Sequence, residues 1–275
     1  MSKSEKELAF LQDLFIAPDW GERFAALIDE HVKLPEKGRA LYLNAGAGGH
    51  AIAMQDRAKP ELKFLCLDES KESIELARAK ATTTKTQIEF QQCSLESLSL
   101  PDEEFDLVVA DGSLVPPDQI PSMISDLVRV ARPGASEAFS LATAGSFGEF
   151  FSICWEGLHN SGFVDYESVV EHLITELPTV SDFEEMATQE GLENVTSWTE
   201  PEEFVFESGE AFINSPLIAD FLMKNWLTSI PDEAVERVTK EVARLIDEER
   251  HNTQFSLTVK ATLVMGRKVE LPLAG

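Results

Sequence analysis

Between Ala40 and Ala142, short apolar runs alternate with helix-compatible stretches, and this rhythm narrows the fold more than any other feature of the chain. The runs are Ala40 to Leu43, Leu62 to Leu67, Ile88 to Gln91, Phe105 to Ala110 and Ala138 to Ala142, with helical stretches at 71–81 and 118–130 among the segments between them. Strand alternating with helix builds parallel βαβ units, so the expected core is a doubly wound, mostly parallel sheet in an α/β domain. Upstream, residues 5–17 and 19–33 read as two short amphipathic helices, the second with Phe24, Leu27, Ile28 and Val32 on one face and Asp19 as its cap. Downstream, stretches near 147–158, 166–176 and 181–190 form an acidic helical insert. A strand candidate at 195–206, broken by Pro201, precedes helices near 215–227 and 231–251. Phe255, Leu257, Val259, Ala261, Leu263 and Met265 then alternate with polar residues, as in a late strand with one face less completely covered. The expected organisation is a single domain over 1–275. It has N-terminal helices at 1–37, a core at 38–145, the insert at 146–193, and C-terminal strands and helices at 194–275.

Charge restricts the partners. The chain has 49 acidic and 23 basic residues, a formal charge of −26, and residues 86–223 hold 27 acids against only Arg129 and Arg132. Such a field repels polyanions and attracts cations, and no basic stripe exists to grip a phosphate backbone, so nucleic acid is excluded as the main partner. A small cationic ligand or a basic protein partner suits the field, although a solubilising surface explains it more simply. Cys66, Cys93 and Cys154 are too few and too widely spaced for a disulfide framework or a zinc site, and no other metal site is expected. No stretch reads as a signal peptide or a membrane span, which makes a cytoplasmic protein the expectation.

The first apolar run leads into Asn44, Ala45, Gly46, Ala47, Gly48, Gly49 and His50, a glycine cluster at a strand-to-helix junction. Glycines there permit a tight turn and let a ligand lie against the backbone. Asp68 ends the next run, 20 positions after Gly48, where a carboxylate can accept both hydroxyls of a ribose. Residues 46–51 also satisfy the dinucleotide pattern G-x-G-x-x-G/A, so a nicotinamide dehydrogenase is an alternative.

Taken together, these motifs resemble the class I S-adenosylmethionine-dependent methyltransferases. Asn44 to His50 falls where that family has an acid-x-Gly-x-Gly-x-Gly motif, and Leu67 to Ser70 matches its ribose-binding turn. Cys93, Ser94 and Leu95, leading to Phe105 to Val109, look like the adenine-binding turn and fourth strand. Residues 128–134 are similar to the step before the fifth strand, and 261–268 to the family's last, antiparallel strand. The helical insert suggests the small-molecule members typified by quinone-biosynthesis enzymes. The resemblance implies a Rossmann-like seven-stranded sheet with a late antiparallel strand. It also implies S-adenosyl-L-methionine as cofactor, held by Asn44, Ala45, Gly46, Gly48, Gly49, Asp68, Glu69, Cys93, Ser94 and Leu95, and a small neutral or cationic methyl acceptor.

Three departures stand out. Asn44 replaces the head acid, His50 the third glycine and Cys93 the acid that takes the adenine amino group. A degenerate fold acting as a non-catalytic binding protein is therefore the first alternative. For the chemistry, Asp111 after the fourth strand and His50 in the loop are the candidate catalytic groups. His159 and His172 read as exposed helix positions, His31 and His251 as helix C-terminal residues, and Phe147, Phe150, Phe151 and Trp155 as packing residues.

Overall fold

The computed structural model describes residues 3–94, 98–249 and 254–270. Seven strands, β1 (Gly38–Leu43), β2 (Leu62–Asp68), β3 (Glu89–Gln92), β4 (Phe105–Asp111), β5 (Ala131–Ala142), β6 (Leu192–Phe206) and β7 (Phe255–Lys268), form one sheet in the order β3-β2-β1-β4-β5-β7-β6. The β1/β2, β1/β4, β2/β3 and β4/β5 pairs are parallel, and β5-β7-β6 is antiparallel. The rhythm read from the sequence is thus the sheet itself, with Leu41 opposite Leu65 on one side and Val108 on the other. Strand order reverses at β1 and β4, so their carboxyl ends open the crevice where ligands of such sheets sit.

The chain divides into two compact units, one of residues 1–141, 180–199 and 262–275, the other of 142–179 and 200–261. In the first unit, helices α1 (Glu5–Leu11), α2 (Glu22–His31), α3 (Gly49–Arg57), α4 (Lys71–Thr84), α5 (Ile120–Val130) and α8 (Val180–Gln189) accompany the sheet. Helix α5 buries Ile120, Met123, Ile124, Leu127 and Val128, the spacing of a single helical face, against Leu41, Val108 and Phe139. Phe183 of α8 closes the same core edge-on to Phe139, at about 1.5–3 kcal/mol for each large apolar side chain buried. The third helix of the insert therefore belongs to the sheet's core, whereas α6 (Gly148–Asn160) and α7 (Glu167–Glu176) belong to the second unit.

The second unit adds α9 (Gly209–Asn214), α10 (Met223–Trp226) and α11 (Asp232–Glu249). Phe147, Phe150 and Phe151 pack on Trp226 with ring centroids 4.7–5.3 Å apart, so these aromatics are core, while Trp155 is exposed and stacks on the exposed His159. His172 is also exposed, and His251 lies outside the described residues.

Three local expectations are corrected. The N-terminal helices are not separated, because residues 12–21 continue as a π-helical stretch with Pro18 inside it. Proline has no N–H to donate and its ring crowds the carbonyl four residues earlier, which a wider turn accommodates. Asp19 consequently caps nothing and instead pairs with Arg23 one turn on. Pro201 does not interrupt β6, which lies at the sheet edge where a missing N–H costs no ladder bond. Strand β5 starts at Ala131 rather than Ala138, with a register shift opposite Phe105 to Leu107 that takes up Pro133 and the left-handed Gly134.

Candidate active site

The loop after β1 is shaped by three residues with left-handed backbone, Asn44 (φ 58°), Gly46 (φ 54°) and Gly48 (φ 76°). At Gly48 the requirement is double, since an added Cβ would also lie 2.7 Å from the Phe90 ring and 2.9 Å from Ala77. Asparagine is one of the few other residues that visits this region readily. His50 is not part of the turn. It is the second residue of α3, and its ring points back to Tyr42 of β1.

Most loop amides are used internally. Ala45 N–H donates to the Leu67 carbonyl, Gly46 N–H to the Asp68 carboxylate at 2.8 Å, and Gly48 N–H to the Ala45 carbonyl. Asp68 also accepts from Ser70 N–H at 2.9 Å, and its backbone carbonyl accepts from Cys93 N–H. It is 8% exposed, and burial raises its pKa although the Ser70 and Gly46 bonds oppose the shift. Glu69 is exposed and its carbonyl accepts from Gln92. Leu95 lies outside the described residues.

Two cavities lie in the first unit, and Asp68 lines neither of them. One, of about 560 Å³, is walled by the loop from Asn44 to Ala47, by Tyr42, His50 and Asp111, and by Gln12, Trp20 and Asp29 of the N-terminal helices. The other, of about 520 Å³, is lined by Leu67, Gln91, Gln92, Cys93, Ser94, Ser99 and Leu100. Gly46, in the wall of the first, and Cys93, in the wall of the second, are bonded to the same aspartate.

The N-terminal helices are fastened over the first cavity. Trp20 Nε1 donates to Ser113 Oγ at 2.9 Å in a buried bond, and Lys80 of α4 pairs with Asp13 of the π-helical stretch. Asp111 is half-buried beneath this cover and accepts from Ser113 N–H at 2.9 Å, while its backbone carbonyl accepts from Asn44 Nδ2 at 2.8 Å. Burial raises its pKa, partly offset by Ser113 and by nearby His50. The Cys93 thiol is pushed up to about 12 by burial and by Asp68 and Glu69, so it stays protonated.

Of the residues singled out from sequence, Asn44, Ala45, Gly46, Gly49, His50 and Asp111 share one cavity, and Cys93 and Ser94 line the other. Asp68 lines neither, but bonds to Gly46 in one wall and to Cys93 in the other. Gly48 faces the core, and Glu69 lines neither cavity. Tyr42, Asp29, Trp20 and Gln12 were missed, because helices distant in sequence give no motif. Tyr42 alone carried a signal, a hydroxyl in an otherwise apolar strand. Among the described residues, no group of three or more His, Cys, Asp and Glu side chains is arranged to hold a metal ion, and no helix is long and apolar enough to cross a membrane.

Comparison with known proteins agrees with this geometry. A family model for a methyltransferase domain matches residues 40–134, from β1 through the turn inside β5. The YcgJ protein of Bacillus subtilis is similar over 91% of this chain and 100% of its own, with TM-score 0.57 and 17% identity. A protein from Bacillus halodurans C-125, provisionally assigned as a methyltransferase, matches over 89% and 98% with TM-score 0.56, also at 17% identity. The phosphoethanolamine N-methyltransferase 2 of Haemonchus contortus, whose structure holds phosphomonomethylethanolamine and S-adenosylhomocysteine, matches over 98% of this chain and 61% of its own, with TM-score 0.56 and 13% identity. At these identities the likeness is one of fold. No curated protein matches the chain. Beyond the matched residues, the late antiparallel strands extend the likeness of fold to the whole sheet.

Proposed function

We propose that the protein is an S-adenosylmethionine-dependent methyltransferase acting on a small neutral or cationic acceptor. The observation that carries this reading is Asp68, whose buried carboxylate accepts from Gly46 of the glycine loop and whose backbone carbonyl accepts from Cys93, each of these two partners lining a cavity. A ribose at Asp68 has room for a base toward Cys93 and Ser94 and for an amino-acid end along Asn44 to Ala47. When bound, the cofactor supplies a methyl group activated on a sulfonium. The chain's part is to align the acceptor, exclude water with the cover held by Trp20 and Lys80, and accept a proton at Asp111 or His50.

The backbone also supports a different register for the glycine motif. Left-handed positions at 44, 46 and 48 have the spacing of the family's glycines, so Asn44 reads as the first glycine and Tyr42 as the head acid. His50 is then no departure, and the argument for degeneration rests on Tyr42, Asn44 and Cys93 alone. The nicotinamide alternative fits less well, since dinucleotide sheets run 3-2-1-4-5-6 whereas β7 here enters between β5 and β6. Calorimetric titration with S-adenosylmethionine, S-adenosylhomocysteine and NAD tests the reading. Binding of the first two is expected, and binding of NAD alone, or of none, refutes it.

A further inference from the structure

Residues 5–31 run as one helical segment, α1, the π-helical stretch and α2 following without a break, and its outer side carries an apolar stripe. Lys6, Phe10, Leu14, Pro18 and Glu22 recur at every fourth position and all are exposed, with Phe15 beside Leu14. A step of four overshoots an α-helical turn and falls short of a π-helical one, so the drift gathered along α1 is undone along 12–21 and the stripe stays straight. Ala9, Ile16 and Trp20, on the other side, are buried. Phe10, Leu14 and Phe15 are 41%, 61% and 58% exposed, three large apolar side chains in one patch, where a chain alone in water tends to scatter them singly.

The two ends of the stripe carry opposite charges. Lys6 lies as far before Leu14 as Glu22 lies after it. Neither has an ion-pair partner among the described residues, whereas Asp13 pairs with Lys80 and Asp19 with Arg23. A two-fold axis at Leu14 therefore sets Phe10 of one copy near Pro18 of another and Lys6 near Glu22, the latter twice. Parallel pairing would set Lys6 against Lys6 and Glu22 against Glu22. Net charge favours a second copy here as well. Residues 1–85, which supply the stripe and the α4 helix packed beside α1, hold 13 basic and 14 acidic residues, whereas 86–223 hold 27 acids against two basic residues. Two chains of charge −26 meet less like charge on this side than on one built from the middle of the sequence.

We propose that the exposed stripe from Lys6 to Glu22 is a self-complementary docking surface, through which two copies of this chain pair as an antiparallel, two-fold dimer. Leu14 and Phe15 supply its apolar centre, and the two Lys6–Glu22 pairs set its register. Gln12, Asp13, Ile16 and Trp20 of the same run line the first cavity, so the partner copy backs the wall that covers it. The contact is short, one helical run against another, which puts it at the low end of specific interfaces with dissociation in the micromolar range. It stands whether or not the methyl-transfer reading does.

Sedimentation equilibrium of the full chain, from low micromolar concentration to a few hundred micromolar, tests the pairing. The wild type should approach the mass of a dimer, and Leu14→Glu, a change at an exposed position, should hold the chain monomeric. Lys6→Glu and Glu22→Lys each place like charges across the two-fold and should weaken association about tenfold. An equimolar mixture of these two variants should restore it, because each Lys6–Glu22 crossing then joins opposite charges again. That recovery also shows that both variants are folded. A wild type that stays monomeric throughout, a dimer that survives Leu14→Glu, or a mixture that associates no better than its parts overturns the proposal. Phosphatidylcholine vesicles form a separate arm. A monomeric wild type that sediments with them, and loses that property in Leu14→Glu, would assign the stripe to a lipid surface and likewise overturn the dimer.

Discussion

Glu137 sits in the middle of β5, paired in register with Val108 of β4, fully buried, and neither carboxyl oxygen has a hydrogen-bond partner among the described residues. Burial pushes its pKa up to about 8 from an ordinary 4.5, against a weaker pull from Lys268. Lys268 donates instead to the carbonyls of Arg129 and Ala131, so it does not neutralise the site. At pH 7 the folded protein keeps Glu137 protonated while the unfolded chain ionises it. Each unit between 4.5 and the working pH then favours unfolding by about 1.4 kcal/mol, or about 3 kcal/mol at pH 7 and about 5 kcal/mol once pH passes 8.

The sign follows from the raised pKa of a carboxylic acid. Between pH 4.5 and 8 the folded state binds more protons than the unfolded state, so this group's contribution to stability is complete below 4.5 and is lost as pH rises through that window. Glu137→Gln keeps the shape and removes the ionisation. Any difference in how the neutral amide and the neutral acid pack is the same at every pH, so it cancels when the variant's gain is compared between pH values. Urea unfolding of both proteins at pH 5, 7 and 8.5 should show the variant gaining on the wild type by about 4 kcal/mol across that range. A gap that stays constant with pH would refute the argument, because it would mean that Glu137 is ionised in the fold and has found a partner.

Other consequences can be measured directly. Asp68→Ala removes the acceptor of the Gly46 and Ser70 amides together with the expected ribose contact, so S-adenosylhomocysteine affinity should fall by about 2–4 kcal/mol in calorimetry; unchanged affinity would free Asp68 of that role. Gly48→Ala combines a left-handed backbone with a Cβ driven into Phe90 and should lower stability by about 2–4 kcal/mol, partly restored by Phe90→Leu in the same chain, as read by thermal denaturation. Trp20→Phe keeps the ring packing but deletes the bond to Ser113, at a cost of about 1–2 kcal/mol. Hydrogen exchange of the amides in 12–21 should then quicken more than that of β4, and equal protection in both proteins would show that the bond does not hold the cover down.

What was legible in the sequence is what local physics repeats. The centre of the sheet could be read because β1, β2 and β4 are apolar runs each followed by a helical stretch, and α5 because Ile120, Ile124, Leu127 and Val128 fall on one face whatever they pack against. What failed was decided by neighbours remote in sequence. Pro201 breaks a strand unless that strand is the edge, and no pattern between 195 and 206 says which strand is the edge. Pro18 ends a helix unless the turn widens, and what lies over residues 12–21 is known only once Trp20 meets Ser113, 93 positions away.

The glycine loop shows the same limit at the scale of two residues. Glycine letters alone set the motif at 46, 48 and 50, which made His50 an anomaly and Asn44 a lost acid. The register proposed above puts it at 44, 46 and 48, where the backbone is left-handed, a conformation asparagine adopts and histidine at 50, already helical, does not need. That shift of two moves attention from Asn44 to Tyr42, whose hydroxyl looked like a minor irregularity in an apolar strand. The features that depend on chain-distant partners, His50 reaching Asp29 and Asn44 reaching Asp111, are those that turn the loop from a motif into the wall of a cavity. A motif's register is thus better taken from where the backbone must be left-handed than from where glycine is written.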